Sequence, residues 1–579
     1  MGARHNRTST ARRAVAVCAL GVVMTGSVAA IVSRRLPENL ASVPVAVLLG
    51  LPSLCLAWWA LRRDDDELAF TGSLPDKAQQ LAREVHNHWV MERRHRGLED
   101  PAPMPLPLTR ASQHLVPEMT PPVDLTDGSE HPADLYERIP TRRLVVLGDG
   151  GSGKSVFLIR LVIDLAAKGR QGDSPVPFLV SLATWNPSLP LRDWLVDELT
   201  SSFRTLTQPI ELGADRVTCA EALLLDHSLI LVLDGLDEVP AEHRRSVFER
   251  LDNELGADLG VVVACRTDAY ADLVHGVPGN PMMLKGAAGV VLGRPDPTTV
   301  ERYLAHRADG TVAAVQRWQP VIDRLGTSDT LGLALRSPLL ISLTNAVYNP
   351  RRSWHLSALR PPSELVALGS VEAIERHLLD QVVTAAYHPS DARHHRCRWE
   401  RDPERVRAWF CYLASVMSVH PGPVPDRAYW YLEERVPRPI IGALVALCTA
   451  VFTGVPTGVL ASVYTGAGGA LATAAVAGAV AGVVTGTLAA SGTAHSPGWS
   501  APLFAFLGAP GRMLADAIGI RAPAGAARYW LALRGKLPWH LPQFLHDAHE
   551  HHGMLRRVGK AYEFRHRSVQ LRLAEGVNS

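Results

Sequence analysis

The sequence predicts an α/β fold, a parallel sheet covered by helices on both faces, followed by smaller and mostly helical parts. Three observations carry this. An apolar run ending at Leu147 leads into Gly148-Asp-Gly-Gly-Ser-Gly-Lys154-Ser155 and then into an apolar-periodic run from Val156 to Ala166, the order of strand, loop and helix. Apolar runs at 144–147, 176–182, 229–233 and 260–264 alternate with helical patterns, which argues for parallel pairing. The run Leu229–Leu233 is wholly apolar and ends in Asp234-Gly-Leu-Asp237-Glu238, as a buried strand does when its end reaches a polar site.

The loop is the most specific element. Its glycines let successive backbone N–H groups point into one concavity at the positive end of a helix, which suits phosphate oxygens. Gly148, Asp149, Gly150, Gly151, Ser152 and Gly153 form the cradle. Lys154 is expected to reach the β- and γ-phosphates and the Ser155 hydroxyl to sit on Mg²⁺. The chain has only six lysines, so chance placement of one there is rare. The expected ligands are ATP or ADP with Mg²⁺.

The acidic strand end supplies the second half of such a site. Asp234 is expected to hold the metal's water shell with Ser155. Asp237 and Glu238 add a carboxylate pair to orient or deprotonate an attacking water. The strand 259–264 ends in Cys265-Arg266-Thr-Asp268, and Arg266 there is placed to sense a γ-phosphate.

Composition bounds the remainder. With 579 residues and a formal net charge of +2, the chain has room for two to four domains and no global field for polyanions. Seven cysteines are scattered without a paired spacing, which offers neither a disulfide framework nor a zinc motif. Two regions are strongly apolar. Ala14–Ser33 and Leu40–Leu61 carry no charge, and Ile440–Ser491 carries none over 52 positions. Each segment is long enough for a hydrocarbon core of ~30 Å. These read as an N-terminal hairpin with spans at 14–33 and 40–61, and an inserted hairpin with spans at 440–464 and 467–491. Flanking arginines favour an N-terminal hairpin with both of its ends in the cytoplasm. A cleaved signal peptide over 1–33 is the rival reading, and an Ala/Gly linker is the rival for the insert. Residues 501–520 read as an interfacial helix. The expected location is the cell membrane, multi-pass, with the nucleotide domain cytoplasmic and the lipid bilayer as a partner.

Residues 75–96 read as an amphipathic helix with Leu81, Val85 and Trp89 on one face, taken as a spacer. Pro101–Pro107 and Pro117–Pro122 read as a stiff connector. His546, His549 and His552 recur every third residue beside Asp547 and Glu550. A metal-binding face is one reading, and a solvated helix the favoured one.

The Asp-Gly-Leu-Asp-Glu ending, with Cys-Arg-Thr-Asp at the next strand end, resembles the NACHT NTPases of the STAND class, relatives of AAA+ proteins. Leu335-Arg-Ser-Pro338 is similar to that family's helical-domain motif, whose proline packs on adenine. Tyr562-Glu-Phe-Arg-His566 resembles its winged-helix motif, whose histidine contacts the β-phosphate of ADP. The chain also resembles the membrane-associated actinobacterial type. Two positions depart, since Cys265-Arg266-Thr267 stands where Ser-Arg-Pro is commoner, and no glutamate follows Gln570.

The resemblance implies an AAA+/STAND-like P-loop NTPase sheet followed by helical and winged-helix-like domains, with N-terminal and inserted transmembrane hairpins. The expected boundaries are 1–63 for the hairpin, 64–139 for the juxtamembrane helix and linker, 140–294 for the NTPase domain and 295–369 for the helical domain. Then come 370–436 for the first winged-helix-like part, 437–526 for the membrane insert and 527–579 for the C-terminal winged-helix-like segment. It further implies a slow ATPase used as an ADP/ATP switch in signalling or antiphage defence, with Pro338 and His566 on the nucleotide and nucleotide-dependent homo-oligomers. No nucleic acid is expected, because the arginine cluster at 556–567 is modest. An ATP-driven transport or channel protein and a membrane-tethered transcriptional regulator stay open as alternatives.

Overall fold

A computed structural model describes residues 73–99, 101–117, 131–172, 174–185, 189–212, 215–254, 259–276, 282–305, 312–349, 360–387, 402–419, 522–558 and 561–576, with a few isolated positions besides. The chain falls into two units, Met1–Ser73 and Leu74–Ser579, and every described helix and strand belongs to the second.

Its strands are β1 (Leu108–Arg110), β2 (Arg143–Gly148), β3 (Val176–Ser181), β4 (Pro209–Leu212), β5 (Asp215–Thr218), β6 (Leu229–Asp234), β7 (Gly260–Arg266), β8 (Ala288–Leu292), β9 (Leu555–Val558) and β10 (Ala561–Phe564). Five run parallel in the order β8-β2-β7-β6-β3, and β1 adds an antiparallel edge on β8. Residues 144–147, 229–233 and 261–264 are buried without alternation, as expected of strands covered on both faces. β7 therefore stands between the strand that feeds the loop and the strand that ends in Asp234.

Helix Leu74–His95 is not a spacer. Leu81, Ala82 and Val85 lie in the same core as the sheet. His86 Nδ1 is 3.3 Å from the Ile163 carbonyl on the phosphate-loop helix, and Lys77 Nζ donates to Gln208 Oε1 at 2.8 Å. The apolar stripe was visible in the sequence, but its partner lies at a distance along the chain. β1 likewise comes out of the stretch read as connector. Gly293 N–H donates to the Pro107 carbonyl at 2.8 Å, and prolines suit an edge because they have no N–H to leave unpaired.

A second core gathers the helices Pro297–Ala305, Val312–Ile322, Pro338–Tyr348, Val371–Ala386 and Pro403–Val419 with Ala522–Leu533, Leu541–Glu550, the β9–β10 hairpin and Arg567–Glu575. Trp409 Nε1 donates to the Gly535 carbonyl at 3.1 Å. The Arg572 guanidinium grips Asp380 with both carboxylate oxygens at 3.0 and 2.9 Å. Segments on either side of residues 420–521 thus form one folded module.

The expectation of transmembrane hairpins, and with it the multi-pass membrane location, is corrected. Among the described residues no helix is long and apolar enough to cross a membrane. The longest, Leu74–His95, has 22 residues but carries Asp76, Lys77, Arg83, Glu84, Glu92, Arg93 and Arg94, and burying such charges in hydrocarbon is costly. The strongly apolar Pro338–Tyr348 has only 11 residues. The proposed spans 14–33, 40–61, 440–464 and 467–491 and the interfacial segment 501–520 lie outside the described residues. The fold class that stands is an α/β parallel sheet of the P-loop NTPase kind, joined to a largely helical module.

Candidate functional site

The strand register gathers the site. Gly148 at the end of β2 pairs with Arg266 at the end of β7, and Asp234 at the end of β6 pairs with Ser181 on β3. Loop, arginine and carboxylate therefore emerge from one edge of the parallel sheet, where open α/β sheets carry their ligands.

The loop from Gly148 leads into the helix Lys154–Gly169. Gly153 caps that helix with φ 94°, and Gly151 has φ 75°, conformations that side-chain-bearing residues rarely take. Gly148 is buried, Asp149 and Gly150 are exposed, and Arg294 stands 3.6 Å from the Asp149 carboxylate. Ser152 Oγ is buried without a hydrogen-bond partner among the described residues.

Lys154 Nζ donates to the carbonyls of Gly148 and Asp149, both at 2.9 Å. Burial lowers its pKa, and the charges of Asp237 and Asp234 oppose that. Ser155 Oγ donates to Asp234 Oδ2 at 2.7 Å, so the two residues expected to share Mg²⁺ are already adjacent. A hydroxyl and a carboxylate are hard oxygen ligands of the type Mg²⁺ takes, with its remaining positions left to water and phosphate.

The two acids after Asp234 differ. Asp237 Oδ1 accepts from the backbone N–H of Arg266 at 3.2 Å, and the Asp237 carbonyl accepts from Arg244 at 3.1 Å. Asp237 thus ties β6 to β7. The Glu238 side chain folds back towards Gly235. Burial raises its pKa; Arg556 opposes the shift, and Asp234 and Asp237 add to it. The Arg266 side chain is exposed and pairs with Asp268 at 2.9 Å. A methyl built at Gly150 would lie 3.9 Å from its guanidinium carbon, so Arg266 overlooks the loop.

Two expected residues come from the other module. Pro338 opens the helix Pro338–Tyr348, and the next residue, Leu339, donates its backbone N–H to the Gly151 carbonyl at 3.1 Å. A Cβ at Gly151 would come within 2.7 Å of Leu339 Cβ. His566 precedes the last helix and is half-buried. Burial, then the charges of Arg565, Arg96 and Arg556, push its pKa down to about 3. It is therefore neutral at pH 7.

Arg556 and Arg96 link this histidine to the acidic strand end. Burial lowers the Arg556 pKa, but Glu563, Glu238 and Asp234 outweigh it and hold it above the usual range. Arg556 Nε meets Glu563 Oε2 at 3.0 Å. Arg96 Nε donates to Glu92 Oε1 at 2.7 Å and also feels the charges of Arg556 and Asp234. The β9–β10 hairpin and the end of helix Leu74–His95 thus bring guanidinium groups within electrostatic reach of Asp234. Arg96 was not legible as a site residue, since one more arginine at a helix end has no distinguishing pattern. Arg556 was visible only as part of a basic cluster.

Residues 142–286 match the NACHT domain family. The matched stretch runs from β2 to β7 and includes every expected P-loop, metal and acidic residue. No curated protein matches the chain. Among solved structures it is similar to Cdc6p from Pyrobaculum aerophilum, at 14% identity over 56% of this chain and 83% of that one, with a TM-score of 0.27. It is also similar to the Drosophila ORC bound to DNA, at 14% identity over 56% and 76%, with a TM-score of 0.24.

The match supports a P-loop NTPase domain over these residues, and with it nucleotide binding.

Proposed function

We propose that the chain is a nucleotide-switched signalling ATPase, in which ADP held between the NACHT domain and the C-terminal module keeps a closed resting form. The observation that carries this reading is that Arg556, delivered by the C-terminal module, lies within electrostatic reach of both Asp234 and Glu238, with His566 beside it.

In this reading Lys154 leaves the carbonyls of Gly148 and Asp149 and turns to the phosphates, while the loop N–H groups hold them. Ser155 and Asp234 would hold Mg²⁺, which would supply neutralisation of phosphate charge. Asp237 acts as a strut that positions Arg266, and Glu238, with its raised pKa, takes the proton of the attacking water. Pro338 borders the base. His566 and Arg556 face the β-phosphate, whose negative charge offsets the positive charge of Arg556, Arg565 and Arg96 around the neutral imidazole. A ligand shifts a two-state protein only through differential affinity, and contacts from a second module supply that difference. ATP favours the form in which the module is released and chains assemble.

The test is calorimetric titration of ADP and of a non-hydrolysable ATP analogue into wild type, His566→Ala and Arg556→Ala. The expected loss is about 10- to 100-fold for ADP, the scale of one or two hydrogen bonds to a charged group, with the analogue changed less than about threefold. Equal losses for both nucleotides contradict the switch.

A further inference from the structure

The run of histidines at 546–552 does not form a solvated face. His546 does, exposed and 3.2 Å from Glu550. His552 is instead sealed, its Nδ1 2.7 Å from the Ala386 carbonyl and its ring stacked on Tyr387. His549 is buried at 6% exposure and points across the module boundary towards the end of helix Leu74–His95.

We propose that Glu92, His95 and His549 form a binding site for a transition-metal dication, Zn²⁺ being the best match, that clamps helix Leu74–His95 to the C-terminal module. One ligand atom from each of the three lies within 4.8 Å of the others. His549 Nε2 is 3.6 Å from Glu92 Oε2, beyond an ordinary hydrogen bond and near the separation of about 3.4 Å between two ligands held ~2.0–2.1 Å from a tetrahedral metal.

The surrounding atoms orient these ligands as metal sites require. His549 Nδ1 is 3.3 Å from the Leu555 carbonyl. A carbonyl only accepts, so Nδ1 carries the proton and the Nε2 lone pair faces Glu92. Metal-binding imidazoles commonly donate their other N–H in this way. Glu92 is 4% exposed and is oriented through its other oxygen, which accepts from Arg96 Nε at 2.7 Å. The His95 ring meets the His549 ring edge-on at 5.1 Å, and its half-buried position leaves a path for an ion. Arg565 lies close by, beside Gly553 and the His95 carbonyl. With a single carboxylate already shared with Arg96, the set disfavours Ca²⁺ and Mg²⁺, which need several oxygen ligands. Two imidazoles and one carboxylate suit Zn²⁺ with a fourth position left for water.

The experiment uses the full chain, freed of nucleotide and metal, and Zn²⁺ alone, titrated against a chromophoric chelator. Wild type is expected to bind one Zn²⁺ and to melt at a higher temperature with it. Glu92→Gln and His95→Ala are expected to weaken that binding by at least ~100-fold, the upper end of what loss of an outer-shell partner costs, and to lose the thermal shift. His546→Ala is expected to bind as wild type does. His95→Cys is expected to retain binding and to show a thiolate-to-metal absorption band with Co²⁺. Since Glu92 is buried, the decisive variant is His95→Ala, provided its metal-free melting temperature equals that of wild type. Absence of stoichiometric Zn²⁺ in wild type, or equal affinity in His95→Ala, overturns the site.

Discussion

Ser155 Oγ donates a 2.7 Å hydrogen bond to Asp234 Oδ2 across 79 residues of sequence. That bond joins the phosphate loop to the acidic strand end, past the intervening β7, and places an oxygen pair where Mg²⁺ would sit. Asp234→Asn keeps the shape and the hydrogen-bond acceptor but removes the charge. Nucleotide is then expected to bind with little dependence on Mg²⁺, whereas wild-type affinity rises about tenfold or more on adding it, the scale of a charge-assisted contact. Titration of a fluorescent ADP with Mg²⁺ or with a chelator checks this, and an unchanged Mg²⁺ response in the variant removes Asp234 from the metal site.

The two acids next to it are separable. Asp237 is bonded to the Arg266 backbone N–H, while burial raises the pKa of Glu238. Glu238→Gln is expected to slow hydrolysis by about 100-fold or more, the range for loss of a general base, with ADP affinity kept. The ionised carboxylate is the active form. The rate should therefore fall as pH drops, and because the pKa is raised it should begin to fall at higher pH than for an ordinary glutamate. Steady-state phosphate release across pH is the measurement. A larger loss in Asp237→Asn than in Glu238→Gln would exchange the two roles.

With His566 on the β-phosphate, as proposed, nucleotide binding is expected to be proton-linked. Its pKa in the free protein is pushed down to about 3, below the ordinary histidine value of about 6.5. Between these values the unfolded chain takes a proton that the folded chain refuses, so stability falls as pH drops through that window. Phosphate charge beside the ring acts the other way and raises its affinity for a proton. ADP binding near pH 6 is expected to take up protons in wild type and to take up fewer in His566→Gln. Calorimetry in two buffers of different ionisation enthalpy reads the uptake directly.

The contact between Gly151 and Leu339 ties the helical module to the loop. Gly151→Ala adds a Cβ at φ 75°, which costs about 1–2 kcal/mol, and drives it to within 2.7 Å of Leu339 Cβ. The loop and the helix Pro338–Tyr348 cannot both keep their places. Trypsin cleavage after Arg336, just before that helix, is expected to become several-fold faster, and unchanged cleavage would show that the contact is dispensable.

Much of the NACHT domain was legible because its signals are local. Unbroken apolar runs marked β2, β3, β6 and β7, and the glycine and acid patterns marked their ends. β1 was lost among prolines, since an edge strand of three residues has no periodicity to read. Helix Leu74–His95 showed its apolar stripe but not the helix that covers it. Arg96 and Glu92 were missed for the same reason: each acquires its meaning from a residue far along the chain. The histidine run misled because its spacing describes one helix face, whereas burial splits His546 from His549 and His552. The long apolar segments suggested membrane spans by composition alone, and among the described residues no helix supports them.

In the proposed switch the segment carrying Arg556 and His566 closes on ADP and is released by ATP. Amide hydrogen exchange across residues 555–575 measures this directly. With ADP, exchange in the β9–β10 hairpin and the helix Arg567–Glu575 is expected to slow relative to the nucleotide-free chain; with a non-hydrolysable ATP analogue it is expected to speed up. The same protection with both nucleotides, while the phosphate loop itself is protected by each, would show that the chain binds nucleotide without switching and would contradict the account.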